Sequence, residues 1–262
     1  MTPRALPPTI AAIGIAVAVT ACSTPPSTPM SVGPAAGANG DITVFAASSL
    51  ASVFTTLARQ FERAHPGTNV RFSFAGSTAL VAQLTAGAPA DVFAAADEAT
   101  MGAVVEAGLI TGTPAVFATN TLTIVTAPGN PQGINEFADL AGPGISVVLC
   151  APQVPCGAAS VDLEEVTGVS LTPISEESTV TDVLGKVTAG QADAGLVYVT
   201  DAEDAGEKVT AVAIPESGQA ENSYPIALLG ESRNLTGAKL FVEMVTGPTG
   251  RKALAGAGFT VP

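Results

Sequence analysis

The sequence predicts an α/β protein with helices on both faces of a parallel sheet. From residue 41 to residue 107, strand-like and helix-like segments alternate, and this alternation favours right-handed βαβ units. Several strand-like runs are apolar at every position, as expected of strands that helices cover on both faces. With 262 residues the chain could form one large core or two modest ones, and this length favours two lobes.

Each of the first three predicted strands leads into a predicted helix. These strands cover residues 42–46, 70–74 and 91–95, and the helices follow near residues 50–61, 78–86 and 98–107. The first helix ends before Pro66, because proline cannot continue a helix. Beyond residue 118 a second set of strands is expected at 121–125, 145–149, 194–198, 209–214 and 224–228, with helices near 160–166, 180–189 and 240–245. The pattern therefore predicts two α/β units.

The N-terminal part of the chain carries export signals. Arg4 precedes an apolar run at residues 10–21 that is too short to span a bilayer. The run ends in Val-Thr-Ala-Cys22, which resembles the lipobox of bacterial lipoproteins, although that pattern prefers leucine at the valine position. We expect a signal peptide at residues 1–21, a lipid anchor on Cys22 at the outer face of the cell membrane, and a flexible tether at residues 22–40. An ordinary cleaved secretion signal with an incidental cysteine is the alternative.

The other two cysteines, Cys150 and Cys156, form an even pair in a chain expected in an oxidising compartment. A disulfide between them would close a short loop, for which chain entropy gives a stabilisation of about 2 kcal/mol. Two small buried thiols are the alternative. The sequence does not decide between a disulfide and two buried thiols.

Composition and motifs argue against several function classes. The net charge of −13 and the ten Lys and Arg residues, which form no run, argue against nucleic acid as a partner. The one histidine, His65, lies at a predicted helix end, and no nucleophile elbow, Walker A sequence or dinucleotide fingerprint occurs. We therefore expect no enzyme and no cofactor. We interpret the acidic cluster of Asp201, Glu203, Asp204 and Glu207 as a solvated face rather than a metal site.

Small hydroxyl residues follow two of the predicted strands. Ser49 lies between the first strand and its helix, and Ser77 lies between the second strand and its helix. In a parallel sheet both turns lie at the same edge, where helix starts present unpaired N–H groups. Each serine alone is explained as a helix cap. Together they predict an anion site that contains no Lys or Arg.

In the order in which they occur, several segments resemble the periplasmic molybdate-binding proteins of bacterial molybdate importers. These segments are residues 44–50, 74–77, 87–93, 195–202, 224–225 and 256–259. The resemblance runs from about residue 41 to the C-terminus, and the ordered combination is more specific than any one segment.

The resemblance implies a two-lobed class II periplasmic-binding-protein fold, with parallel-dominated sheets and a ligand cleft between the lobes. Residues 41–120 and 225–262 would form lobe 1, and residues 121–224 would form lobe 2. It further implies a monomer that captures molybdate, and tungstate comparably, and delivers it to the permease and ATPase of an ABC importer. Molybdenum would be present only as the bound oxyanion.

The resemblance also implies five binding residues. Ser49 and Ser77 would give hydroxyl and backbone donors from lobe 1. Lobe 2 would add the N–H groups of Cys156 and Val180 and the hydroxyl of Tyr198. Two of these depart from the family pattern, since many relatives have alanine where Cys156 stands, and Val180 is matched by spacing rather than by identity.

Three other functions remain as alternatives. The protein could bind another oxyanion, such as sulfate or phosphate, although protonated phosphate would need an acceptor in the site. It could be a secreted serine hydrolase that uses Ser49 or Ser77. It could also be a lipoprotein with a structural or adhesive role, which predicts no small-molecule ligand.

Overall fold

A computed structural model of the protein describes Met1 and residues 39–262. The predicted signal peptide, the predicted anchor on Cys22 and nearly all of the predicted tether lie outside these residues. Within the part that is described, no helix is long and apolar enough to cross a membrane.

Ten strands form two five-stranded sheets in residues 39–262. The first sheet contains β1 (Ile42–Ala47), β2 (Val70–Ala75), β3 (Val92–Ala94), β4 (Ile110–Asn120) and β10 (Asn222–Leu229), in the order β2-β1-β3-β10-β4. The second contains β5 (Leu122–Thr126), β6 (Val147–Cys150), β7 (Ser175–Glu177), β8 (Ala194–Tyr198) and β9 (Thr210–Val212), in the order β7-β6-β8-β5-β9.

Eight α-helices pack around these sheets. They are α1 (Ala51–Ala64), α2 (Ser77–Thr85), α3 (Glu98–Glu106), α4 (Pro155–Thr167), α5 (Val180–Thr188), α6 (Val199–Ala205), α7 (Leu235–Thr246) and α8 (Pro248–Ala255). Short 3-10 helices occur at Ser48–Leu50, Phe137–Ala141, Gly206–Lys208 and Pro215–Gln219. The α/β class is therefore confirmed, and two sheets fit two lobes.

Each sheet is mixed rather than parallel-dominated. In the first sheet β1 pairs in parallel with β2 and β3, whereas β10 is antiparallel to β3 and β4. In the second, β6 is parallel to β7 and β8, whereas β5 is antiparallel to β8 and β9. The expectation of parallel dominance was wrong because β4 and β10, which carry the chain from one sheet to the other and back, run side by side in opposite directions.

The connections between the sheets lie near the predicted lobe boundaries. Only Thr121 separates β4 from β5, and the chain rejoins the first sheet at Asn222. The exact lobe limits, 41–120 with 225–262 and 121–224, stay a prediction.

Four other elements differ from the sequence prediction. The strands β4 and β7 were not expected. The closing helix is two helices, α7 and α8, because Pro248 begins a new one. The acidic segment that was interpreted as a surface connection forms the helix α6, which begins directly after β8.

The core beside the first sheet fixes the start of α1, which begins at Ala51, two residues after Ser49. Phe54 and Phe61 on α1 are fully buried and pack edge-on against Phe241 of α7, with ring centroids 6.0 and 5.4 Å apart. Burial of such side chains contributes about 2–3 kcal/mol each. The C-terminal helices therefore anchor the element that positions one of the predicted binding serines.

Candidate functional site

A small cavity lies where the two sheets face each other. Its volume is about 20 Å³, far below the several hundred Å³ of sites for drug-sized ligands. The residues that line it are Ala47, Ser48, Ser49, Gly76, Ser77, Ala96, Val154, Pro155, Cys156, Ser178, Thr179, Val180 and Tyr198. All five residues that were predicted as ligands are in this set. Their role as ligands stays a prediction, and the cavity fits a ligand of only a few heavy atoms.

Ser49 and Ser77, which we call the first half-site, enter the cavity from the first sheet. Ser49 lies in the 3-10 turn after β1, and Ser77 is the first residue of α2 after β2. Because β1 and β2 pair in parallel, both turns lie at the same sheet edge, as predicted. The hydroxyl oxygen of Ser77, which is 1% exposed, accepts a hydrogen bond from the backbone N–H of Ala96 at 3.0 Å. The Ser77 proton is therefore free to point at a ligand.

Tyr224 lies directly behind Ser49, and sequence reasoning did not nominate it. Its hydroxyl oxygen is 3.1 Å from the Ser49 hydroxyl oxygen, and its side chain is fully buried on β10. Burial raises the pKa of the Tyr224 phenol far above its usual range, so this group stays protonated. The only sequence signal was its place in a family-like Tyr-Pro pair, which carries no chemical role by itself.

Cys156, Val180 and Tyr198, which we call the second half-site, enter from the second sheet. Cys156 lies in the first turn of α4, and Val180 is the first residue of α5. The first N–H groups of a helix have no partner inside the helix and carry the positive end of its dipole. Both residues therefore offer backbone donors whatever their side chains are.

The start of α4 is fixed by a disulfide between Cys150, at the end of β6, and Cys156, with 5.7 Å between their Cα atoms. Gly157 follows, and a β-carbon at this position would lie 1.9 Å from the carbonyl oxygen of Ala151. Only glycine allows the loop to pack this closely against the helix. The bridge and the close approach together hold the Cys156 N–H at the cavity wall.

Tyr198 has a buried hydroxyl with no hydrogen-bond partner among the described residues. The residue ends β8, is 1% exposed and lines the cavity. Burial raises the pKa of its phenol well above the usual value, so the group is a donor. A buried, unsatisfied hydroxyl costs about 1–3 kcal/mol, and a ligand that accepts its proton would remove this cost.

The two half-sites are in contact around the cavity. A β-carbon at Gly76 would lie only 2.3 Å from the carbonyl oxygen of Ser178. The turn after β2 can therefore lie this close to the segment before α5 only because residue 76 is glycine. The Thr78 hydroxyl also donates to the carbonyl of Gln153 across this junction at 2.9 Å. The structure therefore shows the half-sites closed on each other.

The cavity wall contains no charged side chain. Its polar side chains carry hydroxyl groups, and the helix starts add N–H groups, so the wall offers several hydrogen-bond donors. Among residues 39–262 no group of His, Cys, Asp and Glu side chains could hold a metal ion. Beside the cavity, Asp201 on α6 accepts a hydrogen bond from the backbone N–H of Tyr198 at 3.2 Å. Burial raises the pKa of Asp201 to about 7.

The histidine that a serine nucleophile would use as a base lies away from the cavity. His65, the one histidine of the sequence, follows the C-terminal end of α1 and packs at a tilt against Phe61 with 4.5 Å between ring centroids. Ser49 precedes the same helix, and 14 residues of helix place the two ends roughly 20 Å apart. The site is built to hold a small group that accepts hydrogen bonds.

The chain is similar in sequence to a known family of bacterial proteins. Residues 42–260 match the family of bacterial extracellular solute-binding proteins. The molybdate-binding protein ModA of Mycobacterium tuberculosis is 52% identical over 240 residues, which are 92% of this chain and 91% of that protein.

Two solved structures share the fold. The periplasmic molybdate-binding protein of Azotobacter vinelandii has a TM-score of 0.73 at 23% identity, covering 84% of this chain and 99% of that one. The sulfate-binding protein SubI of Mycobacterium tuberculosis has a TM-score of 0.74 at 20% identity, covering 84% and 86%. At these identities the two structures support the fold alone. The family match over residues 42–260 and the 52% identity to ModA show the family. The chain belongs to the bacterial extracellular solute-binding proteins and, within them, to the ModA family.

Proposed function

We propose that this protein captures molybdate outside the cytoplasm and hands it to an ABC-type importer. The observation that carries the proposal is the set of five neutral donors, from both half-sites, around one small cavity. The buried hydroxyl of Tyr198, which has no hydrogen-bond partner among the described residues, supports it most, because a ligand that accepts its proton would satisfy it. The ligand named for the 52% identical relative supports molybdate as the oxyanion.

Neutral donors reconcile anion binding with a net charge of −13. The long-range field of the protein repels a dianion, so attraction at a distance cannot supply the affinity. Inside the cavity each donor forms a charge-assisted hydrogen bond, which is roughly twice as strong as a neutral one. Affinity and selectivity then follow from cavity size and from the number of donors.

Capture would require the half-sites to separate and close again. The connections between the sheets, at Thr121 and near Asn222, are the places where a hinge could act. Closure brings the N–H groups of Cys156 and Val180 and the Tyr198 hydroxyl to a ligand already held by the serines. Molybdate would therefore shift the population toward the closed form by its higher affinity for that form.

The proposal extends to neighbouring ligands and to location. Tungstate is nearly the same size and charge, so it should bind comparably, whereas the smaller sulfate would leave donors imperfectly satisfied, which is costly in a dry site. A lipid on Cys22 would hold the monomeric protein at the outer face of the membrane, beside the permease and its ATPase.

The test is a calorimetric titration of the protein lacking residues 1–29 with molybdate, tungstate, sulfate and phosphate. We expect one-to-one binding of the first two and weak or no binding of the others. Tyr198→Phe should lower the affinity for molybdate roughly 10- to 100-fold, because it removes one hydrogen bond to a charged group. Preference for sulfate or phosphate would overturn the molybdate assignment, and no binding by folded protein would overturn the site.

Serine variants supply a matched control. Ser49→Ala should also lower the affinity roughly 10-fold or more. Ser170→Ala, in the exposed segment between α4 and β7, should leave it unchanged. Equal effects of both substitutions would indicate a general loss of structure rather than loss of a ligand.

A further inference from the structure

A buried asparagine links the two half-sites at the place where the chain rejoins the first sheet. Asn222 is the first residue of β10, and it is 7% exposed. Its amide nitrogen donates to the carbonyl oxygen of Ala96 at 3.0 Å and to the carbonyl oxygen of Pro155 at 3.5 Å. Ala96 follows β3 of the first sheet, whereas Pro155 begins α4, which follows β6 of the second. One side chain therefore bonds to residues on both sides of the cavity.

The orientation of this amide follows from its neighbours. An asparagine side chain has a nitrogen that donates and an oxygen that accepts, and a backbone carbonyl oxygen can only accept. Reversing the amide would place its oxygen against both carbonyl oxygens and break both bonds. The nitrogen therefore faces Ala96 and Pro155, and the Asn222 Oδ1 atom is left buried with no hydrogen-bond partner among the described residues.

The two carbonyl groups belong to residues that line the cavity and adjoin predicted ligand donors. The backbone N–H of Ala96 donates to the Ser77 hydroxyl oxygen at 3.0 Å, so Asn222 holds the residue that holds this serine. Pro155 directly precedes Cys156, whose N–H is a predicted donor of the second half-site. A continuous path of hydrogen bonds and peptide bonds therefore runs from Ser77 through Asn222 to Cys156.

We propose that Asn222 is a positioning residue that stabilises the closed form by holding the first turn of α4 against the first half-site. The inference rests on the proposed function, in which the half-sites separate and close. The bond to Ala96 joins neighbouring strands of one sheet, so it persists when the half-sites separate. The bond to Pro155 joins the two sheets, so it forms only on closure. Loss of the amide lowers the population of the closed form and with it the apparent affinity.

A second asparagine at the same crossing has a different task. Asn120 ends β4 and lies opposite Asn222, so the two side chains share one face of the sheet. Its amide nitrogen donates at 2.8 Å to the hydroxyl oxygen of Thr200, which lies in α6 two residues after Tyr198. Because Asn120 directly precedes Thr121, where the chain enters the second sheet, its bond lies beside the hinge and changes little on closure. The bond that responds to closure is therefore the one made by Asn222.

The test is Asn222→Ala in the purified full-length protein, with a donor and an acceptor fluorophore attached at positions 106 and 165. Glu106 on α3 and Glu165 on α4 are both exposed. Single-molecule energy transfer then gives the ratio of closed to open molecules, without ligand and with molybdate. We expect this ratio to fall roughly 2- to 5-fold in the variant, since a 3.5 Å bond is at the long limit for a hydrogen bond. Molybdate affinity, measured by calorimetry, should fall by up to the same factor. An unchanged ratio would overturn the inference.

Asn69→Ala is the matched control. The Asn69 amide also donates a hydrogen bond, at 2.8 Å to Asp41, but this bond is exposed and lies within the first sheet's side of the molecule. The substitution should leave both the closed-to-open ratio and the affinity unchanged. Thermal unfolding of the ligand-free proteins separates positioning from folding. If Asn222→Ala lowered the unfolding temperature without changing the ratio, Asn222 would only support the fold, and the inference would fail.

Crystal structures of the wild type with and without molybdate test the contact even if the variant does not fold. With molybdate bound we expect the Asn222 nitrogen within 3.5 Å of the Pro155 oxygen, and in an open form we expect this bond broken and the Ala96 bond kept. A bound form without the Pro155 contact, or an open form that keeps it, overturns the inference.

These measurements also distinguish this inference from the proposed function. If the wild type binds sulfate instead of molybdate, the proposed ligand is wrong, while the closed-to-open ratio with sulfate still tests Asn222. If it binds no oxyanion, the proposed function fails, and the ratio in the ligand-free protein still shows whether Asn222 stabilises the closed form.

Discussion

The two half-sites hold their donors by different means. In the first, the donors are side-chain hydroxyls that already have hydrogen bonds within the protein. The Ser77 oxygen accepts from the Ala96 N–H, and the Ser49 hydroxyl is hydrogen-bonded to the Tyr224 hydroxyl. In the second, two of the three donors are backbone groups at helix starts, one of them fixed by a disulfide. The third donor, the hydroxyl of Tyr198, has no partner among the described residues.

This difference separates the tasks of the two lobes. The first half-site is hydrogen-bonded before a ligand arrives, so ordering its donors costs little on binding. The second carries an unsatisfied group when the cavity is empty, and a ligand repays that cost only when the half-sites close. We therefore expect the first half-site to set which ligand is held and the second to link the ligand to closure.

The contact between the half-sites is tested most severely by Gly76→Ala. The new β-carbon would meet the carbonyl oxygen of Ser178 at 2.3 Å, and backbone atoms cannot move aside cheaply. Because Gly76 has an ordinary negative φ of −60°, the substitution strains the closed form and not the backbone itself. Overpacking of about 1–3 kcal/mol predicts that calorimetry will show molybdate affinity reduced roughly 10- to 100-fold.

Gly102→Ala is the matched control for this substitution. Gly102 lies within α3, and a β-carbon there meets nothing within 4 Å. The free energy of unfolding should rise by about 0.5–1 kcal/mol, since alanine is the better helix former, while affinity stays unchanged. Full affinity in Gly76→Ala would show that this face does not close on the ligand.

The disulfide gives the second prediction, which concerns the second half-site alone. Replacing Cys150 and Cys156 by serine should lower the free energy of unfolding by about 2 kcal/mol, measured by urea denaturation. Molybdate affinity should fall roughly 2- to 10-fold, because the loop that presents the N–H of residue 156 must then be ordered on binding. Adding reductant to the wild type should reproduce both changes, and it should not affect the double-serine variant. An unchanged affinity would assign the bridge to stability alone.

Sequence reasoning succeeded where chemistry is local to a segment. Ser49 and Ser77 follow strands and open helical turns, so their position at one sheet edge follows from chain order and parallel pairing. It failed for β4, which contains Pro114 and glycine and lies at the edge of its sheet, where neither apolar alternation nor proline-free sequence is required.

The second half-site was less accessible to sequence for a physical reason. Backbone donors at Cys156 and Val180 depend on where a helix begins, and no side chain signals them, so the family resemblance alone pointed to these positions. Tyr224 was missed because its partner Ser49 is 175 residues away in the chain, and only the assembled sheet brings them together. A sequence shows which groups could donate, but not which distant residues they contact in the folded protein.

The smallest expected effect concerns the carboxyl group of Asp201, which lies beside Tyr198 of the second half-site. Burial raises the pKa of Asp201 from its ordinary 3.8 to about 7, so the folded protein holds this proton more tightly than the unfolded chain. The resulting stability is fully present below about pH 4 and is lost as the pH rises to about 7. The Asp201 side chain keeps some contact with solvent, so the effect is smaller than complete burial would give. At pH 4 we take the difference in unfolding free energy between Asp201→Asn and the wild type as the reference. At pH 8 this difference should favour the variant by about 1 kcal/mol more, measured by chemical denaturation at each pH. If the stability of the wild type and of Asp201→Asn changed in parallel over this pH range, the carboxyl group of Asp201 would not contribute to the pH dependence of stability.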